Sequence, residues 1–329
     1  MGATEIVQAL VSPAEKLIEA VSGAIGKAYE PKHVRKMADA KAYELKLISD
    51  TVRNNSDVPI VYDSTGVSID TSNFEEIAKR ASSRLAYQEI TKQQNIEAVA
   101  DNAYEELENI QDVSSEPVNP DWMLRFFNSV ENISNEDMQK IWGRILAGEI
   151  ECPNTYSYRT LEKLKNMTQQ EAECFQIVST LALRHSGKDF ILNDEDILKK
   201  YNVYFGHILL LEECGLMMAQ NLSLNLSASI DQADYLYNSE IIGLINGKMA
   251  ESRRIVLPVF LFTESGSQLI KAIQPQANSQ YFIDCLESIR EKHKDVVAVA
   301  AHTINYISDD GEVNFNKVDI LSSECISDK

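Results

Sequence analysis

Asn119-Pro-Asp-Trp122-Met-Leu-Arg-Phe-Phe127-Asn-Ser-Val130, followed by Ser134-Asn-Glu-Asp-Met-Gln-Lys-Ile-Trp142-Gly-Arg-Ile-Leu-Ala-Gly148, is the stretch on which the fold reading turns. Asn119 and Pro120 are a helix cap and a first-turn proline, and they head a helix carrying Trp122, Leu124, Phe126, Phe127 and Val130. Ser134 to Asp137 caps a second helix that carries Met138, Ile141, Trp142, Ile145 and Leu146 and stops at Gly148. Two Trp and two Phe within 21 residues mark the centre of a helical core, because aromatic side chains bury the largest areas. Trp122, Phe126, Trp142 and Leu146 are assigned to that core. Arg144 and Arg159 stand beside it and are read as guanidinium groups holding carboxylates in helix-to-helix bridges.

Working toward the C-terminus, Thr168-Gln-Gln-Glu171 is a capping box heading a helix with Ala172, Phe175, Val178, Leu181 and Ala182. The texture then changes. Asp194 to Lys200 and Phe205 to Cys214 read as short helices, and Leu216 to Leu226 and Arg254 to Phe262 as strands. Three helices followed by two strands is winged-helix order. A helix over 279–292, a strand over 296–307, an Asp309-Asp-Gly311 turn and a strand over 313–315 complete the chain.

Working toward the N-terminus, 105–120 is acidic and contains Ser114-Ser-Glu-Pro117, the composition of a linker. Before it, Ser72-Asn-Phe-Glu75 is a capping box for a long polar helix reaching Asn109. Asn54 to Thr71 reads as a loop with a short hairpin. Residues 1–53 hold amphipathic helices, expected over 3–11, 13–29 and from Pro31. Ser12-Pro-Ala-Glu15 reads as the capping box of the second. Leu10, Leu17, Ile18, Val21 and Ile25 form an apolar face assigned to interaction. The expected architecture is mainly α: an N-terminal and central helical bundle with a C-terminal α+β winged-helix-like module. Its segments are 1–53 (amphipathic helices), 54–116 (loop and long polar helix), 117–186 (Trp-rich core) and 187–329 (winged-helix-like module).

The run from Trp122-Met-Leu-Arg-Phe-Phe127 through Trp142-Gly-Arg-Ile-Leu-Ala-Gly-Glu149, on to Ser157-Tyr-Arg-Thr-Leu-Glu-Lys-Leu-Lys165 and Glu171, resembles an uncharacterised bacterial family, the domain of unknown function numbered 2806. Lys16-Leu-Ile-Glu-Ala-Val-Ser-Gly-Ala-Ile-Gly26 and Gln94-Asn-Ile-Glu97 extend the likeness over most of the chain. A second likeness, confined to the helical organisation and the Trp142 to Gly148 motif, is to abortive-infection alpha proteins of phage-defence loci. The first implies an architecture and no activity; the second implies an association with phage defence.

Composition narrows the function. The 329 residues carry 31 Lys plus Arg against 50 Asp plus Glu, a net charge of −19 that repels nucleic acid. Residues 1–53 hold 8 basic and 7 acidic residues and so differ electrostatically from the rest. The helix expected over 205–214 carries Glu212 and Glu213 and no Lys or Arg, so nucleic acid is an unlikely partner for it. Five widely spaced cysteines without a C-x-x-C pair suit a reducing cytoplasm. Acidic residues interrupt the first 29, against a signal peptide, and no run of 18 apolar residues predicts a transmembrane helix.

No chemical signature emerges. The 13 glycines are scattered rather than grouped as a phosphate loop. No two of the five histidines share a helix turn, and no Ser sits in G-x-S-x-G. No catalytic, cofactor or metal residue is therefore assigned. Glu149 and Glu151 read as solvated acids at a helix end, Cys174 and Cys214 as buried inert thiols, and His302 as a partly buried strand residue. The reading is a non-enzymatic cytoplasmic interaction protein, associated with phage defence by resemblance. It acts by self-association or by peripheral membrane contact of its N-terminal helices. The alternative is an acidic winged-helix regulator that contacts another protein or, second to that, DNA.

Overall fold

The structure is a computed structural model and describes residues 12–26, 29, 71–108, 110–111, 113–308 and 312–321. The chain divides into two compact units, 1–161 and 162–329. The expected helix over 3–11, Leu10, the helix opened by Pro31 and the loop over 54–70 lie outside the described residues.

The first unit is helical: α1 (Pro13–Ile25), α2 (Thr71–Leu107), α3 (Pro120–Val130), α4 (Glu136–Glu151) and the start of α5 (Tyr158–Asn166). Asn119 caps α3 as expected, its side chain accepting from the amides of Asp121 and Trp122. Asn135, not Ser134, caps α4, which runs past Gly148 to Glu151. Ser12 has extended backbone at the start of α1, but its side chain makes no capping bond, so the expected box there does not form. Gly26, at φ 67°, ends that helix in the left-handed conformation that glycine adopts without steric cost.

The core of this unit is aromatic. Phe126 stacks on Trp122 at 5.1 Å and meets Trp142 edge-on at 5.5 Å, a geometry worth about 0.5–1.5 kcal/mol beyond buried area. Trp122 Nε1 donates to the Tyr156 carbonyl at 2.7 Å. The α2 and α4 backbones touch where they cross, since a Cβ on Gly143 would stand 2.5 Å from Asn102 Cβ and 3.1 Å from the Ala103 nitrogen. A buried polar layer joins the same helices: Gln139 Nε2 donates to Asn95 Oδ1 at 3.4 Å and to the Ile133 carbonyl, and Asn95 Nδ2 donates to the Glu131 carbonyl. Helix α1 packs on α2, α3 and α4.

The second unit follows the order α6 (Gln169–Ser179), β1 (Leu183–His185), β2 (Lys188–Leu192), α7 (Glu195–Lys200), α8 (Phe205–Glu213), β3 (Met217–Ala228), β4 (Asp234–Tyr237), β5 (Ile241–Gly247), β6 (Arg253–Phe262), α9 (Glu264–Ile273), α10 (Ser279–Lys292), β7 (Val297–Ile307) and β8 (Val313–Leu321). All eight strands form one antiparallel sheet in the order β3-β6-β2-β1-β4-β5-β7-β8. Ser186 and Gly187 join β1 to β2 with both φ values positive, the conformation of a tight two-residue hairpin turn. Beyond β3, Gly247 donates to the Ser229 carbonyl and Ile230 to that of Met249, drawing the end of β3 toward β5. Helix α10 buries Tyr281, Phe282, Leu286 and Ile289, and Gly243 on β5 leaves the space that Leu286 fills.

The expectation of a mainly α chain with a winged-helix-like module is therefore corrected. Strands expected over 216–226, 254–262, 296–307 and 313–315 are present as β3, β6, β7 and β8. Strands β1, β2, β4 and β5 are additional and make them one continuous sheet. The physical reason is pairing: β6 has partners on both edges, and β5 bridges β4 to β7, so no isolated strand pair stands apart.

A polar tie holds α7 to α10. Asp284 accepts from Tyr201 Oη at 2.6 Å and pairs with Lys200, while Asp194 caps α7 and pairs with Lys292 at 2.6 Å. Burial raises the Asp284 pKa, but its bonds to Lys200, Tyr201 and Gln280 outweigh burial and hold it below the ordinary value. A carboxyl whose folded pKa is depressed contributes stability above its unfolded value of about 3.9, and that contribution is lost as pH falls through the folded pKa. The native chain is expected to lose stability more steeply between about pH 4 and 2 than Asp284→Asn. Denaturant titration at each pH checks this, and equal slopes would contradict it.

Candidate functional site

The residues assigned from sequence fall in different surroundings. Leu17 and Val21 have no exposed surface in the first unit, while Ile18 and Ile25 are half-buried. Trp122, Phe126, Trp142 and Leu146 are buried together. Arg144 Nε meets Glu106 Oε1 at 2.9 Å and so joins α4 to α2, a part-exposed pair of the kind worth at most about 1 kcal/mol. Arg159 is exposed and forms no ion pair among the described residues.

A polar site that the sequence reading missed surrounds Glu149, which is only 1% exposed rather than solvated. Its carboxylate accepts from the backbone amides of Asn154 at 2.7 Å and Tyr156 at 2.9 Å, closing the turn that follows α4. Lys16, also buried, reaches from α1 to the carbonyls of Ser114 at 2.6 Å and Ile150 at 2.8 Å. The ammonium thus satisfies a carbonyl at the negative end of α4. Burial raises the Glu149 pKa despite its amide bonds and Lys16, and burial lowers that of Lys16 despite nearby carboxylates. Every atom of this pair with a named bond is engaged with main chain, so its geometry ties the turn and α1 in place.

The remaining reactive groups have structural partners too. The Cys214 thiol is pushed up to about 12 by burial and by its bond to Glu171. Burial alone raises Cys174, whose thiol faces the His207 carbonyl. His302 stacks on Phe315 at 5.2 Å. A shallow depression of about 260 Å³ is lined by Glu162, Lys163, Asn166, Met167, Glu171 and Cys214, and there the Lys163 ammonium donates to the Gly215 carbonyl. Among the described residues no group of three His, Cys, Asp or Glu could hold a metal ion, and no helix is long and apolar enough to cross a membrane.

One surface of the second unit that its own packing leaves uncovered is apolar. Along β6, Ile255, Leu257 and Val259 point into the core, whereas Val256 is 51% exposed and Pro258 is exposed. Strand alternation puts Val256, Pro258 and Phe260 on one face. Phe205, 60% exposed at the start of α8, covers Phe260 with ring centroids 6.5 Å apart. Leu209, one helical turn on, is 46% exposed, whereas Met218, 40% exposed at the start of β3, pairs with Leu261 and so lies on the other face of the sheet. Pro258 lies one residue past the last β2–β6 register pair, where its carbonyl still accepts from the Asn193 amide at 2.9 Å.

Among known families, a model described as "Protein of unknown function (DUF2806)" matches residues 79–286, nearly two thirds of the chain. The chain belongs to the DUF2806 family. The match takes in α3 to α9 and most of α2 and α10, so it spans parts of both units of this DUF2806 protein. It covers the aromatic core, Glu149 and the exposed Phe205 and Val256 surface, and it leaves out α1, β7 and β8. The expected likeness to abortive-infection alpha proteins is not shown by this match. No curated protein and no solved structure matches the chain.

Proposed function

We propose that this DUF2806 protein is a non-enzymatic interaction protein that binds another protein through the β3, β6 and α8 surface of its second unit. The observation that carries the reading is the exposure of Phe205, Leu209 and Val256 on neighbouring elements. Large apolar side chains grouped on a surface cost solvation until a partner covers them, and such groups mark interaction sites. The occupied state of Glu149, Lys16, Cys174 and Cys214 supports binding over catalysis, because each is bonded within its own unit.

The apolar face of the N-terminal helices takes a different place in this reading. Leu17 and Val21 are spent in the core of the first unit, which favours an internal role for α1 over membrane contact. Self-association keeps one observation in its favour: Ile77 and Leu85, two turns apart on α2, are each about half exposed.

The test is co-purification of tagged full-length protein from cells that carry it natively. Phe205→Asp with Val256→Asp is expected to remove a stoichiometric partner, and Ile77→Asp with Leu85→Asp to retain it. The reverse pattern moves the interaction to α2, and homo-oligomers lost with the α2 pair establish self-association instead.

A further inference from the structure

Among the described residues strand β3 lies at one edge of the sheet and pairs only with β6, and it contains no charged residue and no proline in its 12 residues. Long flat edges of that composition invite further pairing, and proteins ordinarily blunt them with charge, proline or cover. Here the two ends are blunted, and the pairing with β6 shifts register between Met218 and Leu222. Near one end the Ala219 amide donates to the Glu212 carboxylate at 3.0 Å, and near the other the Ser227 amide donates to Asp234 at 2.9 Å. Because the Ser227 amide turns away from β6, strand alternation turns those of Asn225 and Ser223 the same way. Neither has a hydrogen-bond partner among the described residues on that side.

We propose that the free edge of β3 takes an extended peptide segment by strand addition, and that the segment is uncharged in its middle and basic at both ends. This rests on the protein-binding reading above and names its partner class. Main-chain bonds to Ser223 and Asn225 supply the pairing, and the neighbouring exposed apolar side chains favour an apolar partner. The chemistry of the ends selects the occupant. Glu212 and Asp234 bond amides eight residues apart; Glu212 leaves one carboxylate oxygen, and Asp234, whose oxygens accept from the Ser227 and Tyr235 amides and which faces His185 at 3.5 Å, adds its charge at the other end, so a Lys or Arg at either end of a segment of about eight residues meets an acidic group.

The same carboxylates disfavour a second copy. Antiparallel pairing of β3 with itself about Ser223 sets Ala219 opposite Ser227, so Glu212 of each copy faces Asp234 of the other at both ends. The net charge of −19 adds to that repulsion.

The experiment titrates the full chain into a fluorescent peptide, Lys-Thr-Val-Thr-Val-Thr-Val-Lys, and follows anisotropy. Saturable binding is expected, at least tenfold tighter than for the same peptide with Glu at both ends, and the gap is expected to narrow as salt rises. Methylating the amide nitrogens of one edge of the peptide is expected to abolish binding, a control independent of protein folding. Ser223→Pro, checked for native circular dichroism, is expected to weaken binding at least tenfold. Equal binding of the methylated peptide, no preference for Lys ends, or dimerisation through β3 overturns the proposal. If Phe205→Asp with Val256→Asp still removes the co-purified partner while these outcomes obtain, strand addition fails and the surface reading stands; if the partner is retained, both fail.

Discussion

Trp142→Ala is expected to destabilise the helical unit by about 3–5 kcal/mol, the range for truncating a fully buried Trp. Trp142 has no exposed surface and supports the Phe126 ring, so alanine leaves a cavity that helices touching at Gly143 cannot collapse to fill. Its Nε1 is buried without a hydrogen-bond partner among the described residues, which separates it from Trp122. Trp142→Phe therefore removes volume and an unsatisfied donor together. Trp122→Phe removes volume and leaves the Tyr156 carbonyl without its 2.7 Å donor, a further cost of about 1–3 kcal/mol. Both tryptophans lie in the first unit, so the remaining one reports its unfolding in each single variant. Urea titration followed by fluorescence is expected to rank Trp122→Phe as the costlier of the two phenylalanine variants. A loss under about 1 kcal/mol for Trp142→Ala would contradict the packing described.

Glu149→Ala is expected to cost at least about 1–3 kcal/mol, the range for the buried Tyr156 amide losing its acceptor, and the part-buried Asn154 amide loses its acceptor as well. The same change removes one of the carboxylates near the buried Lys16 ammonium and leaves Glu116 beside it. The pH dependence has a definite sign. Glu149 has a raised folded pKa, so its contribution is fully present below its unfolded value of about 4.3 and is lost as pH rises through the folded pKa. The stability gap between native chain and variant is therefore expected to be widest at acid pH and to narrow upward. A gap that widens with pH would show that the carboxylate is stabilised as the anion. Fluorescence-detected denaturation over pH 4 to 8 gives the answer.

The helical unit was largely legible because its signals are local. Asn119-Pro120 in that unit, like Thr168 through Glu171 in the second, announces a helix start by chemistry that acts within one turn, and the structure forms both caps. The sheet was half legible. Strands β3, β6 and β7 are 10 to 12 residues long and show their composition, whereas β1, β2 and β4 have 3 to 5 residues and too few alternations to show a period. Ser186-Gly187 was a usable hairpin signal for β1 and β2 that went unread. Strand β5 hides for another reason: Ile241-Ile-Gly-Leu-Ile-Asn-Gly247 is buried on both faces, so it does not alternate.

The site was less legible than the fold. Val256 and Leu257 are chemically alike, and only the elements packed over one face of β6 decide that the first is exposed and the second buried. Glu149 shows the converse. Its burial depends on Asn154 and Tyr156 folding back beneath α4, a contact made by a turn that has no hydrophobic period. The free amides of β3 depend on sheet order, which no local pattern encodes.

The central claim, that recognition occurs on the β3, β6 and α8 surface, is tested most directly by site-specific photocrosslinking in cells carrying the full-length protein. A photoreactive phenylalanine analogue is placed at position 205, at 256, or at the exposed control position 188. The account predicts one discrete adduct with a different protein from 205 and 256 and none from 188. No adduct from 205 and 256, or the same adducts from all three positions, would contradict it.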